Sequence, residues 1–309
     1  MIPFYLSILP GEHIYSWYAR RFWLSGFFKK NNYLNKIGIK PIEMQANLPL
    51  SKSSQKVCRL GSKYSFGNGI ASEATVFPLW ALSMNQENYK YNRSRIHSCK
   101  VKSGLHVGGN SGITTEAIKW KACPECIVHD LKRYGVSYWH VKHQFQGCYI
   151  CYKHGSSLIT PENEARTLKN LFLPHQIENW MPSNVSSSSL HKEFSLFCSD
   201  LFDLSIKNSN RIAELKLSFW KLCNVKSSNA RQKKLASRDL NSQLYADLGI
   251  PFLSSIFGPF TTTPHSTEQK RIIHTLVKSS KSFKVTAPVF WAVALFWKRD
   301  ELKLFKEIV

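Results

Sequence analysis

The stretch CPECIVHDLKRYGVSYWHVKHQFQGCYICYKHG, residues 123–155, contains four of the chain's eight cysteines and four of its eleven histidines. It begins with Cys123-Pro-Glu-Cys126, and a two-residue spacing lets both sulfurs bind one tetrahedral ion from a tight turn. Two more cysteines and a histidine follow near its end, at intervals of three residues. Because clustered thiols in a reducing compartment bind metal more often than they form disulfides, the stretch predicts a zinc site.

The spacing alone allows two sets of ligands. One is a Cys₃His set of Cys123, Cys126, Cys151 and His154. The other is a Cys₄ set, in which Cys148 takes the place of the histidine. Either set supplies four protein ligands and leaves no position for water, which predicts a structural ion rather than a catalytic one. Two further histidines, His140 and His143, are outside candidates for ligands.

Aromatic residues fill the interval between the two ligand groups. They predict a small hydrophobic core around the ion, because a metal site in a short module needs apolar packing to shield it. The residues expected in that core are Tyr134, Tyr138, Trp139 and Phe145. The histidines His129 and His140 are expected to be surface or hydrogen-bonded side chains.

The motifs of zinc enzymes do not fit this chain. A zinc deaminase needs His-x-Glu upstream of Pro-Cys-x-x-Cys. Here the proline lies inside the cysteine pair, and the only His-x-Glu, at 191–193, lies downstream of it. The sequence has no HExxH, and Glu125, between two ligands, would be a poor general base. The aspartates show no paired arrangement for a two-metal nuclease, so we predict a protein that is not an enzyme.

The charge of the chain is strongly positive. Its 42 Lys and Arg residues against 20 Asp and Glu residues give a net charge of +22. A basic excess spread over a foldable chain predicts a polyanionic partner. Nucleic acid is favoured over a membrane, because neither a basic amphipathic helix nor a long uninterrupted apolar segment is present in the sequence. The N-terminus lacks the features of a signal peptide, which predicts a cytoplasmic protein.

The hydrophobic pattern predicts a mainly α fold, because apolar residues recur at helical spacing and strand alternation is scarce. An N-terminal helical region is expected at 1–110, with a first helix within 10–27 and a helix-turn-helix as one interpretation. The metal-binding module is expected at 111–181. A C-terminal helical region is expected at 190–309, with a basic, Ser-rich linker near 225–238.

Three basic segments are candidates for phosphate contacts. The first ends the early helix, and the second interleaves basic residues with tyrosines, so that cations could contact phosphates while rings stack. The third lies within the predicted linker. Solvated basic surface is the competing interpretation for the first two segments, and a mobile linker between domains for the third. The candidate residues are Arg20, Arg21, Lys90, Arg93, Arg95, Lys100, Lys102, Arg231, Lys233 and Lys234.

The order of residues within and before the cysteine cluster resembles one protein family. C-P-x-C, then Y-G, an aromatic-Trp pair, H-Q-x-x-G and C-x-x-H-G resemble the zinc-finger region of the TniQ/TnsD family. These proteins are target selectors of transposons that move with an AAA+ ATPase regulator. LPGEHIYSWYARR at 9–21 and VFPLWA at 76–81 also resemble the family's N-terminal part. The motif positions are occupied by Cys123, Pro124, Cys126, Tyr134, Gly135, Tyr138, Trp139, His143, Gln144, Gly147, Cys151, His154 and Gly155.

The resemblance covers about the first 160 residues and implies both a ligand set and a role. It implies that Cys123, Cys126, Cys151 and His154 hold one structural zinc, and that Cys148 is a core thiol. It also implies a TniQ-type zinc-finger module in a non-enzymatic adaptor. Such an adaptor recognises an attachment site on double-stranded DNA, or docks on an RNA-guided complex, and recruits a TnsC-like AAA+ ATPase among other transposition proteins.

Two further expectations concern the branch of the family and the setting. Residues 156–197 contain no cysteine, so no second finger follows, which favours the DNA-binding, TnsD-like branch. We expect a bacterial cytoplasmic protein associated with the nucleoid. A stand-alone zinc-containing DNA-binding transcription regulator is the alternative function.

Overall fold

The prediction of a mainly α protein is confirmed by the computed structural model. Among the residues described, no helix combines the length and the apolar character that a bilayer span requires.

The structure describes residues 6–37, 73–97, 119–163, 167, 170–182, 188–225, 230–258, 272–279 and 286–302. Its N-terminal elements are α1 (Ile14–Leu24), α2 (Lys30–Ile37), a 3₁₀ helix (Phe77–Leu82) and α3 (Gln86–His97). The central elements are α4 (Pro124–Tyr134), short 3₁₀ turns at Val141–His143 and Pro174–Gln176, and the antiparallel strands β1 (Ile159–Pro161) and β2 (Trp180–Pro182). The C-terminal helices are α5 (Ser189–Lys207), α6 (Ser209–Leu222), α7 (Ala230–Leu248), α8 (Ile250–Phe257), α9 (Ile272–Ser279) and α10 (Pro288–Trp297).

The predicted first helix is present as α1, with identifiable signals at both ends. The Nδ1 atom of His13 accepts a hydrogen bond from the backbone N–H of Tyr15 at 3.1 Å, which satisfies one free donor at the helix start. The helix ends at Leu24 with Ser25 as its C-cap, and Gly26 follows with a φ of +70°, a conformation that glycine adopts without steric cost. The pattern of helical spacing followed by glycine therefore gave the correct element.

Helix α1 is joined to the central module by backbone pairing. The N–H of His13 donates to Trp139 O at 2.7 Å, and the N–H of Val141 donates to Gly11 O at 2.9 Å. The N–H of Trp139 also donates to Ser16 Oγ at 2.7 Å. Apart from Gly11, the residues that make these bonds are buried, so the bonds satisfy polar groups that water does not reach. An aromatic core covers the joint and includes Tyr15, Trp17, Tyr18, Trp120 and Trp139.

A second core gathers segments from three parts of the chain. At its centre is the 3₁₀ helix Phe77–Leu82, the FPLWAL segment, whose six side chains are all buried. Helices α3, α5, α6 and α10 pack against it. An N-terminal segment thus lies inside the C-terminal helical layer, and burial of its large apolar side chains stabilises both.

The predicted basic linker is helical from Ala230 onward, where α7 begins. Ser237 and Leu244 are buried, and Asn241 Oδ1 accepts a hydrogen bond from the N–H of Ile273 in α9 at 2.9 Å. The linker prediction was therefore wrong for 230–238, while 226–229 lie outside the described residues. Its Ala, Gln, Lys and Leu residues are strong helix formers, and packing against α9 outweighed the Ser-rich, basic composition.

Gly147 lies where the central module meets the second core. Its φ is +87°, and a β-carbon built there would lie 2.9 Å from Phe194 Cε1 and 3.1 Å from Ile256 Cγ1. Both distances are shorter than ordinary contacts, and the backbone conformation is one that other residues rarely adopt. The glycine of the H-Q-x-x-G motif is therefore required for close packing of the module on α5 and α8.

The variant Gly147→Ala should lower the free energy of unfolding by about 3 kcal/mol, because overpacking adds to the strain of positive φ. Gly135→Ala is the matched control. Gly135 also has a positive φ, of +70°, but no atom lies within 4 Å of its β-carbon position. It should cost only about 1 kcal/mol. Urea unfolding followed by circular dichroism measures both values, and equal losses would contradict the packing argument.

Candidate metal centre

The candidate metal centre forms where the start of α4 meets a tight turn. Cys123 is the N-cap of α4, and its Sγ accepts the backbone N–H of Cys126 at 3.5 Å. The turn at 151–155 closes with a hydrogen bond from the N–H of Gly155 to Cys151 O at 2.8 Å. The backbone pair between Ala122 and Ile159, on either side of the site, holds the two segments together.

The four side chains of the Cys₃His set converge. The Nδ1 atom of His154 lies 3.4 Å from the Sγ atoms of Cys123 and Cys126 and 3.7 Å from Cys151 Sγ. The sulfurs of Cys126 and Cys151 are 3.8 Å apart. A zinc tetrahedron with ordinary bond lengths separates two sulfurs by about 3.8 Å and a sulfur from a nitrogen by about 3.5 Å. The donor atoms therefore fit one zinc ion.

The chemistry of the donors agrees with a structural ion. The three cysteines are buried, whereas His154 is exposed and covers the outer side of the cluster. Hydrogen bonding with Cys126 lowers the pKa of Cys123, and the same contact raises the pKa of Cys126, so the crowded sulfurs cannot all ionise without a cation. A zinc ion would replace those protons and join the turn to α4, while all four tetrahedral positions are taken by protein atoms.

Cys148 is not part of this cluster. It is 2% exposed and belongs to the second hydrophobic core, where it contacts Cys198. The Cys₄ alternative is therefore wrong, and the Cys₃His set that the family resemblance implied is the one that the structure brings together.

The two outside candidates lie near the centre in supporting positions. His143 Nε2 is 3.4 Å from Cys151 Sγ, and burial holds the pKa of His143 well below its ordinary value. A neutral imidazole in this position can donate Nε2–H to a zinc-bound thiolate. His140 Nε2 is instead 2.9 Å from the buried carboxylate of Asp130 in α4. The sequence offered only a weak signal for these roles, namely histidines between the ligand pairs.

The expected aromatic core around the ion is not what the structure shows. The buried hydrophobic cluster at the metal centre contains the three cysteine ligands and Leu158. Trp139 packs in the core beside α1, whereas Phe145 packs in the second core. Tyr138 donates its hydroxyl to Pro10 O at 3.0 Å. These side chains attach the module to its neighbours, and the hypothesis of a self-contained core was wrong because the module is not free-standing.

The structure also contains a buried polar site around Arg20, which the sequence did not predict. Arg20 is buried, and its Nε donates to Glu12 Oε1 at 2.7 Å while Nη2 donates to Ser7 O at 2.7 Å. A phosphate contact by Arg20 is therefore a wrong prediction, because a buried carboxylate eight residues upstream already occupies its guanidinium. Arg21, its neighbour, is half-buried with its guanidinium 5.4 Å from the centre of the Trp17 ring.

The other candidate phosphate contacts lie on two helices or outside the described residues. Lys90 is exposed and Arg93 half-buried on α3. For Arg95 on α3 and for Arg231, Lys233 and Lys234 on α7, the structure describes the backbone alone. Lys100 and Lys102 lie outside the described residues.

Fold and centre together define a mainly helical protein with a Cys₃His cluster whose donor atoms fit one zinc ion. A family model described as TniQ matches residues 3–158, about half of the chain. The chain therefore belongs to the TniQ family, and membership implies an adaptor role associated with transposition. A search of the curated proteins finds no match.

Cys126→Ser should abolish zinc binding and unfold the central module, because binding energy at a structural site is folding energy. Cys148→Ala is the matched control, since it removes a buried thiol that is not a ligand. It should lose some stability by cavity formation yet keep one zinc per chain. Atomic absorption of the purified variants gives the stoichiometry, and a zinc-free Cys148→Ala protein that remains folded would contradict the assignment.

Arg20→Ala should destabilise the protein by about 3 to 5 kcal/mol, because it leaves the buried carboxylate of Glu12 without its partner. Arg21→Ala removes the same charge one residue later, from a half-buried side chain, and should cost less than about 1 kcal/mol. Thermal unfolding of both variants tests the difference. Similar losses would show that the buried pair does not contribute as its geometry indicates.

Proposed function

We propose that this chain selects the target site in DNA transposition. It binds attachment-site DNA and recruits the AAA+ ATPase regulator of the transposase. The observation that carries the proposal is the family match, which spans the α1 region and the whole metal centre. The TnsD-like branch and DNA as a partner are supported further by the charge and by the positions of the cysteines. The ATPase is proposed from the family membership alone.

Charge supports DNA as the direct partner. The excess of 22 positive charges favours a polyanion, and counterion release makes such binding strong at low salt. The remaining described candidates Arg21, Lys90 and Arg93 are at least partly accessible on α1 and α3. Residues 156–197 hold no second group of cysteines, which favours DNA over an RNA-guided complex. These observations support membership in the TnsD-like branch.

In this proposal the zinc ion has a structural role. Four protein ligands complete its coordination, so it would polarise no substrate and activate no water. It would hold the start of α4 against the turn at 151–155, and the module in turn holds α1 through the backbone pairing. The chain then works as a rigid adaptor without catalysis, with one surface for DNA and another for the ATPase.

If six to ten phosphates are neutralised, DNA affinity should fall about 10³- to 10⁵-fold between about 50 and 200 mM salt. Fluorescence anisotropy with a labelled duplex that spans the insertion site measures this slope. Arg21→Ala should reduce the slope by about one ion, whereas Lys207→Ala, an exposed lysine on α5, is the control. Affinity that does not respond to salt would contradict the electrostatic part of the proposal.

The recruitment step is tested by pull-down of the ATPase encoded beside the transposase, with and without the same duplex. The adaptor role predicts a complex of the chain, the ATPase and DNA. DNA binding without any association with the ATPase would instead indicate the stand-alone transcription regulator. Association with the ATPase but not with DNA would indicate that another component, such as an RNA-guided complex, finds the target.

A further inference from the structure

Helix α4 is unusually exposed for an element at the centre of the fold. Of its 11 residues, Cys126 and Asp130 have buried side chains. A helix normally buries a wider apolar stripe than this. Ile127 and Tyr134 are half-buried, and Ile127 packs against the core beside α1. The other seven residues of α4 are exposed in the part of the chain that the structure describes.

The exposed face carries residues at positions i, i+3, i+4, i+7 and i+8, which lie together on one side of a helix. Val128 on this face is 67% exposed, and Leu131, which lies beside it at the edge of the face, is 37% exposed. The residues of this face are Glu125, Val128, His129, Lys132 and Arg133.

These residue types match the edges of base pairs in a major groove. A carboxylate accepts a hydrogen bond from the cytosine amino group, a lysine or arginine donates to guanine, and an apolar side chain contacts the thymine methyl. A helix of 11 residues is about 16 Å long, and the major groove, at about 12 Å wide, admits one. In a major groove, the exposed side chain of Val128 would contact a thymine methyl group.

The structure also holds α4 rigidly at both ends and along its buried side. Its N-cap is the ligand Cys123, and its C-cap is Gly135 with a φ of +70°. In the middle, Asp130 Oδ2 lies 2.9 Å from His140 Nε2, and both residues are buried. A helix anchored by zinc at its start and by a buried pair at its centre can present a fixed set of side chains to a groove.

We infer that α4 is a recognition helix that lies in the major groove and reads base sequence through Glu125, Val128, His129, Lys132 and Arg133. This inference rests on the DNA-binding part of the proposed function and deepens it. Basic residues beside the metal-binding turn fit flanking phosphates: Lys153 is exposed, and Lys192 Nζ lies 3.6 Å from the β-carbon position of Gly155. The positive surroundings favour DNA over an ordinary protein surface.

The test selects binding sites from a pool of duplexes with a randomised stretch, using the full-length zinc-loaded chain and its variants. The wild-type chain should enrich a short motif. Lys132→Ala should lose its preference for one guanine by about five- to 100-fold, and Glu125→Ala should lose it for a nearby cytosine. The matched controls Lys221→Ala and Glu178→Ala change the same charges at exposed positions elsewhere and should enrich the wild-type motif. Zinc stoichiometry and circular dichroism confirm that each variant is folded.

The following outcomes would overturn the inference, and each shows whether the proposed function fails with it. An unchanged motif in both α4 variants would exclude base reading by this helix. DNA binding without any enriched motif would also exclude it, although binding and recruitment could still hold. Loss of ATPase association with an unchanged motif would identify α4 as a protein-binding surface. No binding to any duplex would remove both the inference and the DNA-binding part of the proposed function.

Discussion

The backbone pairing between residues 11–16 and 139–141 is the contact on which the rest of the structure depends. It satisfies buried peptide groups on both segments and joins α1 to the module that carries the metal centre. A few residues further along, the amide of Gln144 exchanges hydrogen bonds with the backbone of Lys121, just before the first ligand. Gly147 then brings the same segment against α5 and α8. One short segment therefore connects both cores and the metal centre.

Two buried polar pairs lie beside this segment. Glu12 pairs with Arg20 on the α1 side, and Asp130 pairs with His140 on the α4 side. Buried pairs of this kind cost desolvation energy and contribute little net stability, but losing one partner is expensive. They therefore penalise any packing in which α1 and α4 are displaced from the segment. For a proposed adaptor that must hold two surfaces in a fixed relation, such a penalty is useful.

The features of the candidate metal centre that depend on neighbouring residues could be predicted from the sequence. The contacts between distant segments could not. The spacing of the cysteines predicted a zinc site, because ligands that bind one ion from a tight turn must be close in sequence. The family resemblance then selected the Cys₃His set. The role of Arg20 depended on whether Glu12 would be buried beside it, which helical spacing does not reveal. In the same way, Trp139 and Phe145 pack in different cores, although they are only six positions apart in the sequence. The segment that was predicted as a linker forms the first part of helix α7, because α9, which follows later in the chain, packs against this helix.

By itself, the sequence determined the mainly α class, the position of α1, the helical character of the C-terminal region, the basic charge and the candidate zinc ligands. Those properties follow from periodicity, composition and short spacings, which act over a few residues. The tertiary structure alone decided that Arg20 belongs to the interior, that Trp139 and Phe145 pack in different cores and that α4 presents an exposed face of mixed charge. Each of these depends on which distant segment lies opposite, and burial and pairing with that segment set the energy.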